Sequence, residues 1–451
     1  MEIYVTAKKK TKSHPLSCEH IQDACSDIGF VINGVEGGPI HIEKDKTYTF
    51  HIDSPGHPFY FTQDNRGGRG RNDPLQLSSQ EEDQGTFSIK FTNDIPDTFY
   101  YQCRVHPYMG GKVIVKKNVN LAKIGSIPSP IAVAGPDNNG ILYVANQEGN
   151  IYKYMNNKLI PFVSIKGHMI KLNPGYDERG LLDLVHHNNK LYVFYTNINN
   201  NNCLSEIDLS DLSENVILRI PHQASIHNGG RMMFEGDNLY ITIGDGGPQK
   251  DPQGNAQNLV TLLGKIIRIN INGNGRTYGI PKDNPFINTI ETKPEIYAYG
   301  FRNPWGIGRN SNGIIYVADA GYLTREEINI LQKGGNYGWN IKEGTVFTKF
   351  NDKMDSNLID PIFEYPKGEI PGINKKVVDS VIIGGKFLNI DKYVFGDYSG
   401  KIMVLENGKY SYTIEIPETI RSFSQDDKGN VYLLTGMNKN WESMGNIYLI
   451  T

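Results

Sequence analysis

One short phrase recurs from residue 142 onward and restricts the architecture more than any other feature. Its copies are Leu142-Tyr143-Val144, Leu191-Tyr192-Val193, Leu239-Tyr240-Ile241, Ile315-Tyr316-Val317, Tyr393-Val394 and Val431-Tyr432-Leu433. Aromatic and branched residues in short runs favour buried strands, so six copies predict six units. The tyrosines are 49, 48, 76, 77 and 39 residues apart. That spacing needs insertions but stays near the about 40 to 50 residues of a four-stranded propeller blade. Four copies are followed by a strand opening on Gly, then Asn or Lys, then Ile: Gly149-Asn150-Ile151, Gly264-Lys265-Ile266, Gly400-Lys401-Ile402 and Gly445-Asn446-Ile447. Neighbouring strands of one blade would look like this. Unrelated tyrosine-rich strands in a sandwich are the alternative.

Composition agrees with a turn-rich all-β chain: 48 Gly and 23 Pro in 451 residues, with 26 Tyr against 18 Phe and 3 Trp. The 46 basic and 49 acidic side chains leave a net charge of −3, which excludes a strongly basic nucleic-acid binder. No apolar run approaches the roughly 18 residues of a membrane-spanning helix, so no transmembrane segment is expected. Met1 to Lys12 carries four lysines without a following apolar stretch; the sequence as given lacks a secretory core, pointing to a mature form or another export route. Four cysteines are too few for a disulfide scaffold, although Cys18 and Cys25 are close enough to form a local bridge. Asn-, Lys- and Ile-rich usage resembles AT-rich coding, as in large DNA viruses or protists, which keeps a virion or particle surface among the expected locations.

Residues 1–117 read differently from the rest. Short alternating strands (Thr47 to Ile52, Phe59 to Thr62, Thr86 to Phe91, Phe99 to Cys103, Lys112 to Val115) broken by turn formers predict a small β-sandwich. Residues 118–130, NVNLAKIGSIPSP, suit a connector, and 131–451 hold the repeated phrase. At the end of the first part stands Cys103-Arg104-Val105-His106-Pro107-Tyr108-Met109. A thiolate, an imidazole and a thioether at this spacing converge on one ion when the chain leaves a strand and turns. His57, between Gly56 and Pro58 at a strand start, is the expected second imidazole; His41 and His51 are the alternatives, His51 lying in an alternating run. Two His and one Cys with a weak axial Met is the blue-copper geometry. The stretch from Gly29 to Lys117 resembles the cupredoxin family, most closely amicyanin-like members with the short Cys-x-x-His-x-x-Met loop. A structural cysteine beside two surface residues is the other reading.

The second part contains Glu178-Arg179-Gly180, His227-Asn228-Gly229-Gly230-Arg231, Gly244-Asp245-Gly246-Gly247, Gly300-Phe301-Arg302-Asn303-Pro304-Trp305-Gly306, Asp319-Ala320-Gly321, Glu327-Ile328-Asn329 and Gly335-Asn336-Tyr337-Gly338-Trp339. In this order they resemble the glucose/sorbosone dehydrogenase family, six-bladed propellers that include soluble sugar dehydrogenases using pyrroloquinoline quinone (PQQ). The resemblance implies His227 as catalytic base and Asp245 as the carboxylate orienting it. It implies Glu178, Arg302, Asn303, Tyr398 and Arg421 as cofactor-binding residues, and a Ca²⁺ ion on the backbone carbonyls of Gly321 and Tyr322. Oxidising a sugar hydroxyl needs a proton acceptor near neutrality while hydride leaves carbon, and an imidazole suits that task. The chain departs from the family where Tyr398 replaces a cofactor-contacting lysine and Thr419 an arginine. Phrases such as His227-Asn228-Gly229-Gly230 are similar to hedgehog-interacting proteins too.

The expectation is an all-β oxidoreductase, a cupredoxin sandwich followed by a six-bladed propeller. A PQQ-dependent sugar or polyol dehydrogenase would pass electrons to type 1 copper and then to an external acceptor, with no nucleic-acid partner, at an extracellular, periplasmic or particle-surface site. Alternatively the propeller is a carbohydrate- or protein-binding module or a virion structural component, the glycine phrases are blade turns, Arg302 is an inter-blade tie and His227 a core histidine.

Overall fold

The computed structural model describes every residue except 22, 44–45, 71–74, 76–80, 93–94, 97, 117–118, 223, 274–276, 352–356 and 437–442. The chain divides into two compact units, Met1–Asn118 and Val119–Thr451. None of the helices among the described residues is long and apolar enough to cross a membrane.

The first unit starts with a strand, Glu2–Lys9, in a lysine-rich stretch to which the sequence assigned no element. Glu2–Lys9 alternates Ile3 and Val5 inward, and Lys8 and Lys9 are exposed at its end. It pairs antiparallel with Ile28–Ile32 and parallel with Thr47–Asp53. With Val35–Glu36 and Gln84–Lys90 these form one five-stranded sheet, and Ile40–Glu43, Gly111–Lys116, Thr98–Cys103 and Phe59–Thr62 form a four-stranded second sheet. Aromatic rings fill the core: Phe50 stacks on Phe87 with centroids 5.2 Å apart, and Phe59 stacks on Tyr101 at 5.5 Å. Cys103 and Met109 are buried in this same cluster. Cys18 and Cys25 are disulfide-bonded.

The second unit contains six four-stranded antiparallel sheets among the described residues. Their first strands are Pro130–Ala134, Leu181–His187, Gly229–Glu235, Pro304–Arg309, Ile382–Phe387 and Thr419–Gln425. Each neighbours the next, and the last returns to the first, so the six form a closed ring. Tyr143, Tyr192, Tyr240, Tyr316, Tyr393 and Tyr432 all lie in the second strand of their sheet, and all six are buried. Gly445 and the residues after Gly149, Gly264 and Gly400 lie in third strands.

Residues 118–130 need a correction. Leu121–Pro128 is no connector; it is the outer strand of the last sheet, paired with Met444–Ile450, and it ties the start of this unit to its end. The pairing completes the fourth strand of the last sheet from the start of the unit and so closes the ring. Arg231 is one tie between sheets, and Arg302, which donates to Gln249 in the loop after the preceding sheet's second strand, is another. Arg231 Nη1 donates to Ile131 O at 3.2 Å, lies 3.6 Å from Asp183, and its guanidinium stacks 4.6 Å from the Trp305 ring.

Where the fourth and fifth inner strands meet, Gly306 and Gly384 touch backbone to backbone, and a Cβ on Gly306 would fall 2.5 Å from Gly384 Cα. Gly306→Ala is therefore expected to cost about 1–3 kcal/mol in denaturant unfolding. Gly167→Ala, with no atom within 4 Å of the new methyl, is expected to stay within about 0.5 kcal/mol of wild type.

Candidate functional site

The loops that enter and leave the inner strands of the second unit enclose a cavity of about 330 Å³. Glu178 comes from the loop before the second sheet, and His227 from the loop before the third. His227 has φ +58°, a left-handed conformation rare for a non-glycine residue. Such conformations persist where surrounding contacts over-determine them, and they cluster at functional sites. Glu178 Oε2 accepts from His227 N at 2.8 Å, while His222 Nε2 lies 3.3 Å from His227 O. The imidazole Nδ1 sits 2.7 Å from Asp245 Oδ1. Because a carboxylate only accepts, Nδ1 carries the proton and Nε2 is left basic. Asp245 is fully buried and fixed in turn, with Gly247 N donating to Oδ1 and Trp339 Nε1 to Oδ2, both at 2.8 Å. Trp339 was quoted in the sequence as part of a glycine-rich phrase; its contact with Asp245 had no sequence signal.

Arg302 Nη2 donates to Gln249 Oε1 (2.7 Å) and Nη1 to Ala320 O (2.8 Å), while its buried Nε has no hydrogen-bond partner. Asp319, whose two oxygens accept from Arg302 N and Asn303 N, is buried, and burial pushes its carboxyl up toward neutrality. Asn303 Oδ1 accepts from Gly229 N at 3.0 Å. Tyr398 and Arg421 line the same cavity. Burial pulls the Arg421 guanidinium down, opposed by the nearby Tyr398 and Tyr176 hydroxyls. Thr419 lies outside the lining and donates to Gly436 O.

Lys367, which no sequence motif marks, also lines the cavity. Its Nζ bonds Glu326 Oε1 at 2.5 Å and donates to Gly321 O at 3.3 Å. Arg302, Arg421 and Lys367 thus supply three cations around one cavity, with Leu181, Leu182, Trp305 and Ile383 as apolar wall. A flat tricarboxylate quinone fits that donor set, and the orphaned Arg302 Nε faces the same demand for an acceptor. The calcium set fits less well. Gly321 O already accepts from the Lys367 ammonium at 3.3 Å, so the Gly321 and Tyr322 carbonyls do not form a vacant oxygen pair for a divalent ion.

In the first unit, ligand atoms of His57, Cys103 and His106 lie within 4.8 Å of one another, the one group of this kind among the described residues. His57 Nδ1 is 3.1 Å from His106 Nδ1, and Cys103 Sγ is 3.8 Å from His106 Nδ1. Val105 N and His106 N each donate to Sγ at 3.4 Å. Burial pushes the Cys103 thiol up while these two N–H groups favour the thiolate. Met109 is buried in the same core cluster as Cys103, its carbonyl accepting from Phe30 N. His51 is occupied by Glu2 and Thr86. Two imidazoles and a thiol converging in this way could hold a metal ion.

The matched stretch is 39% identical over 201 residues to the HIPL2 protein of Arabidopsis thaliana, covering 40% of this chain and 28% of that protein. It is 39% identical over 115 residues to an aldose sugar dehydrogenase of Escherichia coli, covering 25% of this chain and 29% of that one. The chain therefore spans less than a third of either relative. By fold, 74% of the chain superposes on 99% of the PQQ-bound aldose sugar dehydrogenase of Streptomyces coelicolor, with TM-score 0.57 and 20% identity; the likeness is one of fold. Residues 128–374, more than half of the chain, match the Glucose / Sorbosone dehydrogenase family, and the chain belongs to that family.

Proposed function

We propose that the chain is a PQQ-dependent dehydrogenase of sugar or polyol hydroxyls, with a six-bladed propeller as the catalytic unit and a cupredoxin-type blue-copper unit as its electron acceptor. The observation that carries this reading is the His227–Asp245 pair at a cavity with three cations, 2.7 Å apart and buried. His227 Nε2 takes the proton of the substrate hydroxyl, and Asp245 stabilises the imidazolium that results. Trp339 and Gly247 keep Asp245 in place for that purpose. Arg302, Lys367 and Arg421 hold the carboxylates of the cofactor, which supplies the two-electron acceptor for the hydride leaving carbon. Tyr398, standing where relatives carry a lysine, contributes a hydroxyl and no charge; Lys367 replaces the missing cation from another segment.

His57, Cys103, His106 and Met109 hold the copper, which supplies one-electron transfer toward an external acceptor. Fusion of the two units on one chain raises the effective concentration of that acceptor. The Cys18–Cys25 bridge favours an oxidising location, outside the cytoplasm or on a particle surface.

Thermal unfolding with PQQ tests the reading. A ligand at 100 times its dissociation constant stabilises by about 2.7 kcal/mol, so the second unit's midpoint is expected to rise, and aldoses are then expected to bleach the copper-loaded chain. A midpoint unmoved by PQQ would instead favour a binding module without dehydrogenase chemistry.

A further inference from the structure

Gly321 O and the Glu326 carboxylate are the kind of hard-oxygen pair that holds a divalent cation. In this chain an ammonium lies between them. Lys367 Nζ is 2.5 Å from Glu326 Oε1 and 3.3 Å from Gly321 O. Glu326 is wholly buried, and its other oxygen is taken by Gly321 N at 3.2 Å and Ile382 N at 3.0 Å. The carboxylate cannot turn away, and an unpaired buried charge is strongly unfavourable; Lys367 is its partner. Lys367 itself keeps about a quarter of its side chain accessible and lines the cavity together with Gly321 and Tyr322. Its head group is thus anchored on one side and offered to a ligand on the other.

We propose that the Lys367 ammonium takes the place of a divalent cation in this cavity, so that an anionic quinone ligand binds here without calcium. The ligand half of this inference rests on the PQQ reading; the exclusion of calcium does not. Ammonium and calcium exclude one another, because Ca²⁺ bound at about 2.4 Å from the Gly321 oxygen would sit against the positive head group already on that oxygen. A lysine is also a compact point charge with three donors, able to hold Glu326 and Gly321 with two protons and aim the third at a ligand oxygen.

Calcium calorimetry on the whole chain without any quinone decides the cation half. Wild type and Lys367→Arg are expected to show no site at this cavity. Lys367→Ala, which exposes the Glu326 and Gly321 oxygens, is expected to gain calcium affinity by about tenfold or more, and Lys367→Ala/Glu326→Gln to lose the gain. Matching isotherms for wild type and Lys367→Ala overturn the proposal. Should Lys367→Ala fold poorly, Lys367→Met keeps the length of the side chain with no charge and no donor and carries the same comparison. With PQQ added, the wild-type midpoint is expected to rise equally in EGTA and in calcium; a rise lost in EGTA overturns the proposal. No rise in either buffer counts against the PQQ reading alone, and the calorimetry still decides this one.

Discussion

Replacing His227 with asparagine is expected to lower aldose-dependent turnover of the PQQ-loaded chain by about 10²–10⁴-fold, the range a positioned general base contributes. Asparagine is the informative choice because the position has φ +58°, and Asn tolerates left-handed backbone better than most residues. Folding is therefore largely preserved. The Glu178 bond to the backbone N–H of residue 227 survives, since it does not involve the side chain. Asp245 loses its imidazole partner but keeps Trp339 and Gly247. Cofactor affinity, proposed to be set by Arg302, Lys367 and Arg421, is expected to remain, so the loss falls on turnover rather than on the PQQ-induced midpoint. Activity at a tenth of wild type or more would show that the proton goes elsewhere.

The fold was legible wherever a local pattern coincided with burial. Each repeated tyrosine sits in a second strand, sandwiched between neighbouring sheets, so a short apolar phrase sufficed to mark it. The long spacings before Tyr316 and Tyr393 arise where chain is inserted ahead of a fourth strand, between Asn270 and Ile296 and between Ile330 and Phe363. Legibility failed where pairing is remote. Leu121–Pro128 contains Gly125, a register shift between Lys123 and Gly125, and several half-exposed side chains; nothing local announces a partner more than 300 residues away. The Glu2–Lys9 strand was hidden by lysines that only mark its exposed end.

The candidate site divides along the same line. His227, Asp245, Arg302, Asn303 and Glu178 stand in glycine-rich phrases that must turn at ring openings, and the structure gathers all of them except the buried Asp245 in the cavity lining. Lys367 follows Phe363–Pro366, an outer strand, and reaches the cavity only because Glu326 and Gly321 draw it there. A single lysine in a turn carries no sequence signature. The His57–Cys103–His106 group was readable because two of its three members share one short loop, leaving only His57 to be supplied from a distance.

That loop carries the other large effect. Copper(II) added to the whole chain is expected to produce an intense visible thiolate-to-copper band, and Cys103→Ser is expected to abolish it. The sulfur is presented by a fixed frame: Gln102 spans the loop's two ends by accepting from Gly110 N at 3.0 Å, and ties it to a separate segment by donating to Asn65 O at 2.6 Å. Gly110 admits no side chain, since a Cβ there would lie 1.6 Å from Tyr101 O. Cys103→Ser keeps this frame and the two backbone donors but replaces the soft thiolate by a hydroxyl, which selects against copper and removes the orbital behind the colour. Met109→Leu preserves the buried volume and is expected to keep the colour while changing the reduction potential, because an axial thioether tunes the site without making it. The remaining free thiol, Cys203, is buried in the second unit, so Cys203→Ser is expected to leave the band unchanged. Colour that survives Cys103→Ser would remove the copper assignment and, with it, the electron acceptor that the two-unit chain is proposed to carry.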